Sequence, residues 1–372
     1  MTTFSLVILS IVILLLVVGY QKRNYDCRTW LSLLRGSSTS RDGGSHGPSD
    51  LKKLAPYPAQ PIRGREKYRI MMDIRRLDAQ NWLTLDKNYI DEHRVRDRLL
   101  REKRNQVLQC LPESGEACQE TLEEVSEFLC QRFPSMFHRI VQGKESWIEN
   151  RATKEKFKIA SQTKASDITD ALEAAVRLTM EDLSVLMMNE DGEYYLAASA
   201  SLFPTGWTVQ DRIGWTISQL HGPVPLWHQQ ISNSVSKFLA RLTPASSMER
   251  SNYFVEIKRP NEDLLEILYR PGSLCEKELS NPTPDEIIIR RERQTFRRLP
   301  RTGAIVFGVK TYLTPISQLP MQELENLAME MKTWPEHVGE YKGKDVWGKK
   351  VLEYYNIRVK EASQSDLSEK VE

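Results

Sequence analysis

The sequence lacks the motifs of the common cofactor-using and hydrolytic enzymes. It has no Gly-x-Gly-x-x-Gly after a predicted strand and no Walker A loop, which excludes a dinucleotide-binding domain and a P-loop nucleotide hydrolase. The zinc-protease motif His-Glu-x-x-His is also missing. A Gly-x-Ser-x-Gly match at residues 43–47 lies in a Gly/Ser-rich stretch with no strand before it. We interpret this match as a coincidence and not as a hydrolase nucleophile.

The sequence has few cysteines and a small net charge. The 372 residues include 5 cysteines at irregular spacing, which predicts neither a disulfide framework nor a zinc or iron–sulfur site. There is no Asn-x-Ser/Thr acceptor for N-glycosylation. The formal net charge is only +2, so we expect no nucleic-acid partner.

Residues 4–18 form a continuous hydrophobic run that contains only two serines as polar residues. The run is close to the roughly 20 residues that a helix needs to cross a bilayer, and Lys22 and Arg23 follow it. It therefore predicts a transmembrane anchor in residues 1–21 with a cytosolic C-terminal side. A cleaved secretory signal is the competing interpretation, but the run lacks a charged segment before it and a small-residue exit after it.

The rest of the chain is predicted as a flexible linker over 22–58, one large domain over 59–361 and a disordered tail over 362–372. Helical periods occur at residues 119–132, 167–188, 231–242, 321–331 and 346–359, and strand patterns at 194–201, 253–257, 287–296 and 304–312. The turn signal at residues 300–303 joins the last two strands as antiparallel neighbours. The sequence thus predicts an α+β fold with an antiparallel sheet.

His221 is the most informative candidate for a cofactor ligand. It precedes the sequence Gly-Pro-Val-Pro, whose prolines stiffen the backbone, and Trp207 and Trp215 lie close by in sequence. A metal or haem iron needs a neutral imidazole whose direction is fixed in advance. The alternative is an ordinary core histidine bonded to a backbone carbonyl, which the residues alone favour.

Residues 287–312 are unusually rich in arginine. Strand alternation puts Arg291, Arg293 and Arg297 on one face and Arg290 and Arg298 on the other. Guanidinium groups at this density suit paired carboxylates, such as haem propionates or an acidic redox partner. An exposed, salt-bridged strand that resists edge pairing explains the pattern equally well.

Several segments, taken together, resemble the haem-dependent oxidative N-demethylase alpha-subunit family. Their order and spacing over residues 60–345 carry the resemblance, which includes Phe-Pro-Thr-Gly-Trp at 203–207, Leu-His-Gly-Pro-Val-Pro at 220–225, Arg-Ser-Asn-Tyr at 250–253 and Arg-Gln-Thr-Phe-Arg-Arg-Leu-Pro at 293–300. The resemblance also includes Tyr-Arg-Ile-Met-Met-Asp at 68–73 and Thr-Gly-Ala-Ile-Val-Phe at 302–307.

The resemblance implies a PAS-like antiparallel sheet flanked by helices that binds haem b. His221 is implied as the ligand of the iron. On the hypothesis that haem binds here, we expect Arg298 and Arg301 to pair with the propionates. Trp207 and Trp215 would line the pocket, with packing in the aromatic core as the alternative. The implied activity is a monooxygenase-type oxidation of a carbon next to an amine nitrogen, which releases an aldehyde from an N-methyl group. Electrons are implied to come from NADPH through a separate flavin-type reductase.

The predicted anchor resembles that of fungal enzymes of secondary metabolism at the endoplasmic reticulum, which places the protein there as a single-pass membrane protein. Dimethylamine is then only one candidate substrate. The alternatives to an enzyme are a non-enzymatic PAS-like sensor that binds haem or another ligand, and a membrane scaffold without a working pocket.

Overall fold

The fold is built on a seven-stranded antiparallel sheet, seen in a computed structural model that describes residues 48–159, 168–272 and 281–368. The strands in chain order are β1 (Arg75–Arg76), β2 (Leu108–Cys110), β3 (Phe137–Gln142), β4 (Glu145–Asn150), β5 (Glu155–Ile159), β6 (Asp182–Met188), β7 (Tyr194–Ala200), β8 (Met248–Ile257), β9 (Ile287–Arg298) and β10 (Ile305–Pro315). The large sheet has the order β1-β8-β9-β10-β6-β7-β2, and β3, β4 and β5 form a separate antiparallel sheet.

Helices occupy most of the remaining described chain. They are α1 (Tyr89–Glu102), α2 (Arg104–Val107), α3 (Gly115–Arg132), α4 (Ile168–Leu178), α5 (Val209–Arg212), α6 (Ile217–Leu220), α7 (Ser232–Arg241), α8 (Leu264–Leu268), α9 (Met321–Thr333), α10 (Glu336–Tyr341) and α11 (Lys344–Ser368). A π-helical turn, Trp227–Ile231, leads into α7. Helix α4 shows why these segments are helical, because Leu172, Ala175 and Val176 form a buried stripe at helical spacing.

The two faces of the large sheet are covered by different parts of the chain. Successive residues of β9 point to opposite faces, so Arg291 and Arg293 share one face while Glu292 and Gln294 share the other. Helices α1, α3 and α4 pack an extended apolar cluster against the first face. The second face is covered by residues 203–241, and a cavity lies between them and the sheet.

The α+β class and the antiparallel sheet flanked by helices are confirmed. The predicted hairpin is also confirmed, since Arg298 of β9 lies opposite Ile305 of β10 across a short turn. The single helix predicted over residues 167–188 is wrong. The chain forms α4 and then β6, because β6 is an inner strand that pairs with both β7 and β10. From Leu183 onward its residues are mostly apolar toward both faces, and over a short distance such a run looks the same as a buried helix.

The predicted membrane-spanning helix and the single-pass location at the endoplasmic reticulum are corrected. In residues 48–159, 168–272 and 281–368, no helix has the length and apolar character needed to cross a bilayer. The run at residues 4–18 lies outside the described residues. The predicted domain limits also move. Leu51 is already buried in the core, ahead of the predicted start at residue 59, and α11 continues to Ser368 past the predicted end at residue 361.

Candidate functional site

A cavity of about 560 Å³ lies against the second face of the large sheet. This volume is in the usual range of small-molecule and cofactor pockets. The floor is formed by side chains of neighbouring strands that share this face, namely Ser184, Leu186, Glu292, Gln294, Phe296 and Phe307. Residues from Phe203 to Leu239 form the opposite wall. The floor combines apolar with polar side chains, whereas the opposite wall is mainly apolar, so that side of the cavity can hold a hydrophobic group.

The cavity also continues around the free edge of β8. All five residues from Arg250 to Phe254 line it, although neighbours on a strand point to opposite faces. This is possible because β8 pairs with β1 only at Met248 and Glu249, which leaves the following stretch of that edge open. We call this part of the cavity, lined by Tyr68, Tyr253, Glu330, Tyr341 and Lys342, the edge lobe.

His221, the predicted ligand of the iron, lines the cavity. It ends helix α6, which Thr216 and Gln219 begin with a reciprocal capping box. The ring stacks on Trp227 with a centroid distance of 4.1 Å and an interplanar angle of 12°. These two contacts fix the direction of the imidazole before any ligand binds.

The hydrogen bond of His221 determines its tautomer. The Nδ1 atom lies 2.9 Å from the carbonyl oxygen of Ile217, which can only accept, so Nδ1 carries the proton. Burial lowers the pKa of His221, although the bond to Ile217 opposes this effect. The ring is therefore neutral at physiological pH with a free lone pair on Nε2. Metal-bound histidines commonly have this arrangement, with the second ring nitrogen bonded to a backbone carbonyl.

The structure separates the two tryptophans that the sequence grouped with His221. Trp207 lines the cavity. Trp215 does not lie among the lining residues, and 39% of its surface is exposed. The guanidinium of Arg212 lies 5.8 Å from the ring centroid of Trp207 and 5.6 Å from that of Trp215. Of the two rings, only Trp207 is therefore placed to touch a ligand in the described cavity.

The two arginines expected to pair with the propionates, Arg298 and Arg301, lie outside the cavity lining. Arg298 donates to the carbonyl oxygens of Leu242 at 2.6 Å and Leu239 at 2.7 Å, which fastens the end of α7 to the sheet. Arg301 is largely exposed and pairs with Glu123 of α3 at 2.9 Å. Both guanidinium groups are thus already bonded to other parts of the protein.

The arginine-rich strand is not an exposed edge either. It lies between β8 and β10, and Arg290, Arg291, Arg293 and Arg297 are all buried. Each one is paired within the fold. Arg293, for example, donates from Nε to Glu249 at 2.8 Å, and Arg290 donates to the carbonyl oxygens of Phe203 and Leu268 at 2.8 Å. These arginines hold the sheet and its covering loops together.

Arg250, Glu292 and Lys342 are cavity residues that the sequence did not single out as site residues. Burial lowers the pKa of Arg250, and its guanidinium has no hydrogen bond or ion pair within the described chain. Glu292 accepts one bond, 2.7 Å long, from the amide of Gln294, and burial raises the pKa of this carboxyl. The only sequence signal was for Arg250, which begins the Arg-Ser-Asn-Tyr segment of the family resemblance.

Two other buried carboxyls near the sheet, those of Asp182 and Glu181, are occupied by protein partners. Asp182 accepts from Arg96 at 2.8 Å and from the backbone of Phe203 at 2.9 Å. Glu181 is buried toward the other face, where it accepts from Thr84 at 3.0 Å. Glu292, like Glu330, combines a place in the cavity wall with a carboxylate that accepts one hydrogen bond in the described structure.

A metal site built from protein ligands alone is not seen in the described residues, where no three His, Cys, Asp or Glu side chains converge. A haem iron needs only one or two protein ligands, because the porphyrin supplies the others. The single directed imidazole of His221, an apolar cavity and a buried guanidinium without a partner are the features that such a group requires.

The comparison with protein families agrees with this site. The model of the haem-dependent oxidative N-demethylase, alpha subunit-like family matches residues 73–352. The match covers most of the chain and includes both the sheet and the residues that bring His221 to the cavity. The chain therefore belongs to the haem-dependent oxidative N-demethylase alpha subunit-like family.

Proposed function

We propose that this protein is a haem-dependent oxidoreductase that oxidises a carbon next to an amine nitrogen of a small molecule held in the cavity. The single observation that carries the proposal is the neutral imidazole of His221, fixed by Ile217 and Trp227 with Nε2 unprotonated. The family membership supports the haem dependence. Haem b would supply the oxygen chemistry when bound, with electrons delivered from NADPH by a separate flavin-type reductase.

Different side chains of the cavity would bind the haem and the amine. His221 would hold the iron through Nε2, and Arg250 would pair with a propionate, since its charge acts on the His221 ring and it has no protein partner among the described residues. The apolar walls formed by Leu186, Phe296 and Phe307 would exclude water from the reacting carbon. Glu292 would hold the ammonium of the amine.

Besides the amine, the net reaction needs O2, two electrons and two protons. One oxygen atom of O2 is transferred to the carbon next to nitrogen, and the other leaves as water with the two electrons and two protons that the reductase and solvent supply. The hydroxylated product then loses an aldehyde as its carbon–nitrogen bond breaks. The cavity residues need only bind the amine, orient it and keep the site dry.

Haem uptake by His221→Ala tests the proposal. The purified full-length chain, titrated with haemin, is expected to show a Soret band that saturates at one haem per chain. Removal of the iron ligand should weaken haem binding by at least about tenfold and shift the band. His228→Ala is the matched control, because His228 is an exposed histidine seven positions away and should leave the spectrum unchanged.

Amine-dependent oxygen consumption distinguishes an enzyme from a haem sensor. With NADPH and a flavin-type reductase present, the enzyme is expected to consume oxygen and to form an aldehyde when an N-methyl amine is added. Haem binding without amine-dependent oxygen consumption would favour the non-enzymatic sensor. An unaltered Soret band in His221→Ala would sink the assignment of the iron ligand.

A further inference from the structure

The edge lobe contains a lysine in an unusual environment. Lys342 follows helix α10, and its ammonium lies 5.0 Å from the ring centroid of Tyr253, 5.3 Å from that of Trp334 and 5.9 Å from that of Phe254. Protein encloses the side chain, and the surface it retains belongs to the cavity wall. Aromatic faces attract a desolvated cation through the quadrupole of the ring.

Within the described part of the chain, this ammonium makes no hydrogen bond and has no carboxylate within ion-pairing distance. Burial lowers the pKa of Lys342, and the charge of Glu330, whose carboxylate accepts from the hydroxyl of Tyr253 at 2.7 Å, opposes this effect. The charges of Arg250 and Arg65 also reach Lys342 and oppose its protonation. A buried cation without a paired anion is unfavourable. An anionic group of a ligand would therefore gain binding free energy by pairing with Lys342.

In the described part of the cavity lining, cations without an ion-pair partner outnumber such carboxylates. Cationic side chains in the lining that have no carboxylate partner in the described structure are Arg65, Arg69, Arg212, Arg250 and Lys342. The lining carboxyls without a cationic partner are Glu292 and Glu330.

Opposite charges lie in the same part of the cavity. Glu292 faces the cavity from β9, and its charge reaches the phenol of Tyr341, the residue before Lys342. A ligand that holds an ammonium and a carboxylate could therefore contact Glu292 with one and Lys342 with the other.

We propose that Lys342 binds the carboxylate of the substrate, so that the substrate is an N-alkyl amino acid or another amine with a carboxylate group, and not a simple amine. The inference rests on the proposed function for the ammonium at Glu292. The competing carboxylate is a haem propionate. Arg250 suits the propionate better, because its charge acts directly on His221, whereas Lys342 lies beyond the edge of β8.

Paired probes test this assignment on the full-length holoprotein. N-methylglycine and its homologues with longer spacers are compared with their carboxamides, which match them in size and lack the charge. Equilibrium dialysis should give affinities about 10- to 100-fold higher for the best carboxylate than for its carboxamide. Lys342→Met should abolish that preference and leave the Soret band intact. Lys342→Arg should restore most of it.

Lys332→Met is the matched control, because Lys332 is an exposed lysine on α9 and should change neither affinity nor haem content. Equal affinities of carboxylate and carboxamide in the unaltered protein would overturn the inference. So would a loss of haem in Lys342→Met with the preference retained, which would make Lys342 a propionate partner. Carboxylate preference without oxygen consumption would uphold the anion site and remove the proposed oxidation.

Discussion

Replacement of Glu92 by alanine is expected to lower the free energy of unfolding by about 3 kcal/mol. Glu92 lies on α1 and holds the ammonium of Lys310, at 2.6 Å, on the face of the sheet away from the cavity. Both side chains are buried, and Asp86, at 3.9 Å, is the other acid near this lysine in the described structure. Loss of Glu92 thus leaves a buried charge with only a distant partner. Denaturant unfolding of the apoprotein measures the effect.

Glu102→Ala is the control for this prediction. Glu102 lies on the same helix and pairs with Arg98 at 3.0 Å, but both side chains are half exposed. Its removal should change the stability by less than about 1 kcal/mol. The double variant Glu92→Leu, Lys310→Met should recover most of the loss, because it removes both charges together. Equal losses in Glu92→Ala and Glu102→Ala would show that burial does not govern this pair.

The buried charges explain why the arginine-rich strand was difficult to interpret from sequence. Alternation assigned its residues to the correct faces, but the partner of each arginine lies far away in the chain. Arg297 pairs with Glu124 and Arg291 with Glu323, on helices that come before and after the strand. Pattern alone does not identify such pairs, so burial of the strand on both faces could not be foreseen.

Local features of the site were predictable, and long-range ones were not. His221 stands out because its geometry comes from neighbouring residues, namely the turn of α6 and the prolines after it. Arg250 and Lys342 are notable because neither has an ion-pair partner among the residues that the structure describes, which is a property of the folded chain. Conversely, Arg298 seemed available for a ligand until the fold brought the end of α7 against it.

The two faces of the large sheet differ in how their charged side chains are paired. On the face covered by α1 and α3, every charge at the strand centres has a partner, as with Lys310 and Arg293. On the cavity face, Glu292 and Arg250 lack an oppositely charged partner within ion-pairing distance in the described chain. One face therefore stabilises the sheet, and the other retains binding capacity for a ligand.

The substitution Glu292→Gln is expected to weaken binding of an N-methyl amine to the holoprotein by about 30-fold or more, because it removes a buried anion that faces an ammonium. Burial raises the pKa of Glu292, so the affinity of the unaltered protein should increase as the pH rises through that value. The variant should show no such increase. Glu340→Gln, an exposed neighbour of the edge lobe, should behave like the unaltered protein.

Stability gives an independent readout of the same carboxyl, because its ionised form is disfavoured in the folded protein. Its pKa is higher in the folded than in the unfolded chain, so the unaltered protein loses stability as pH rises from the ordinary glutamate value of about 4.3 through the raised one. Glu292→Gln lacks this loss. It should therefore be the more stable protein at pH about 7 and lose that advantage below pH about 4. A variant that is less stable at both pH values would show that Glu292 supports the fold and would remove it as the amine-binding anion.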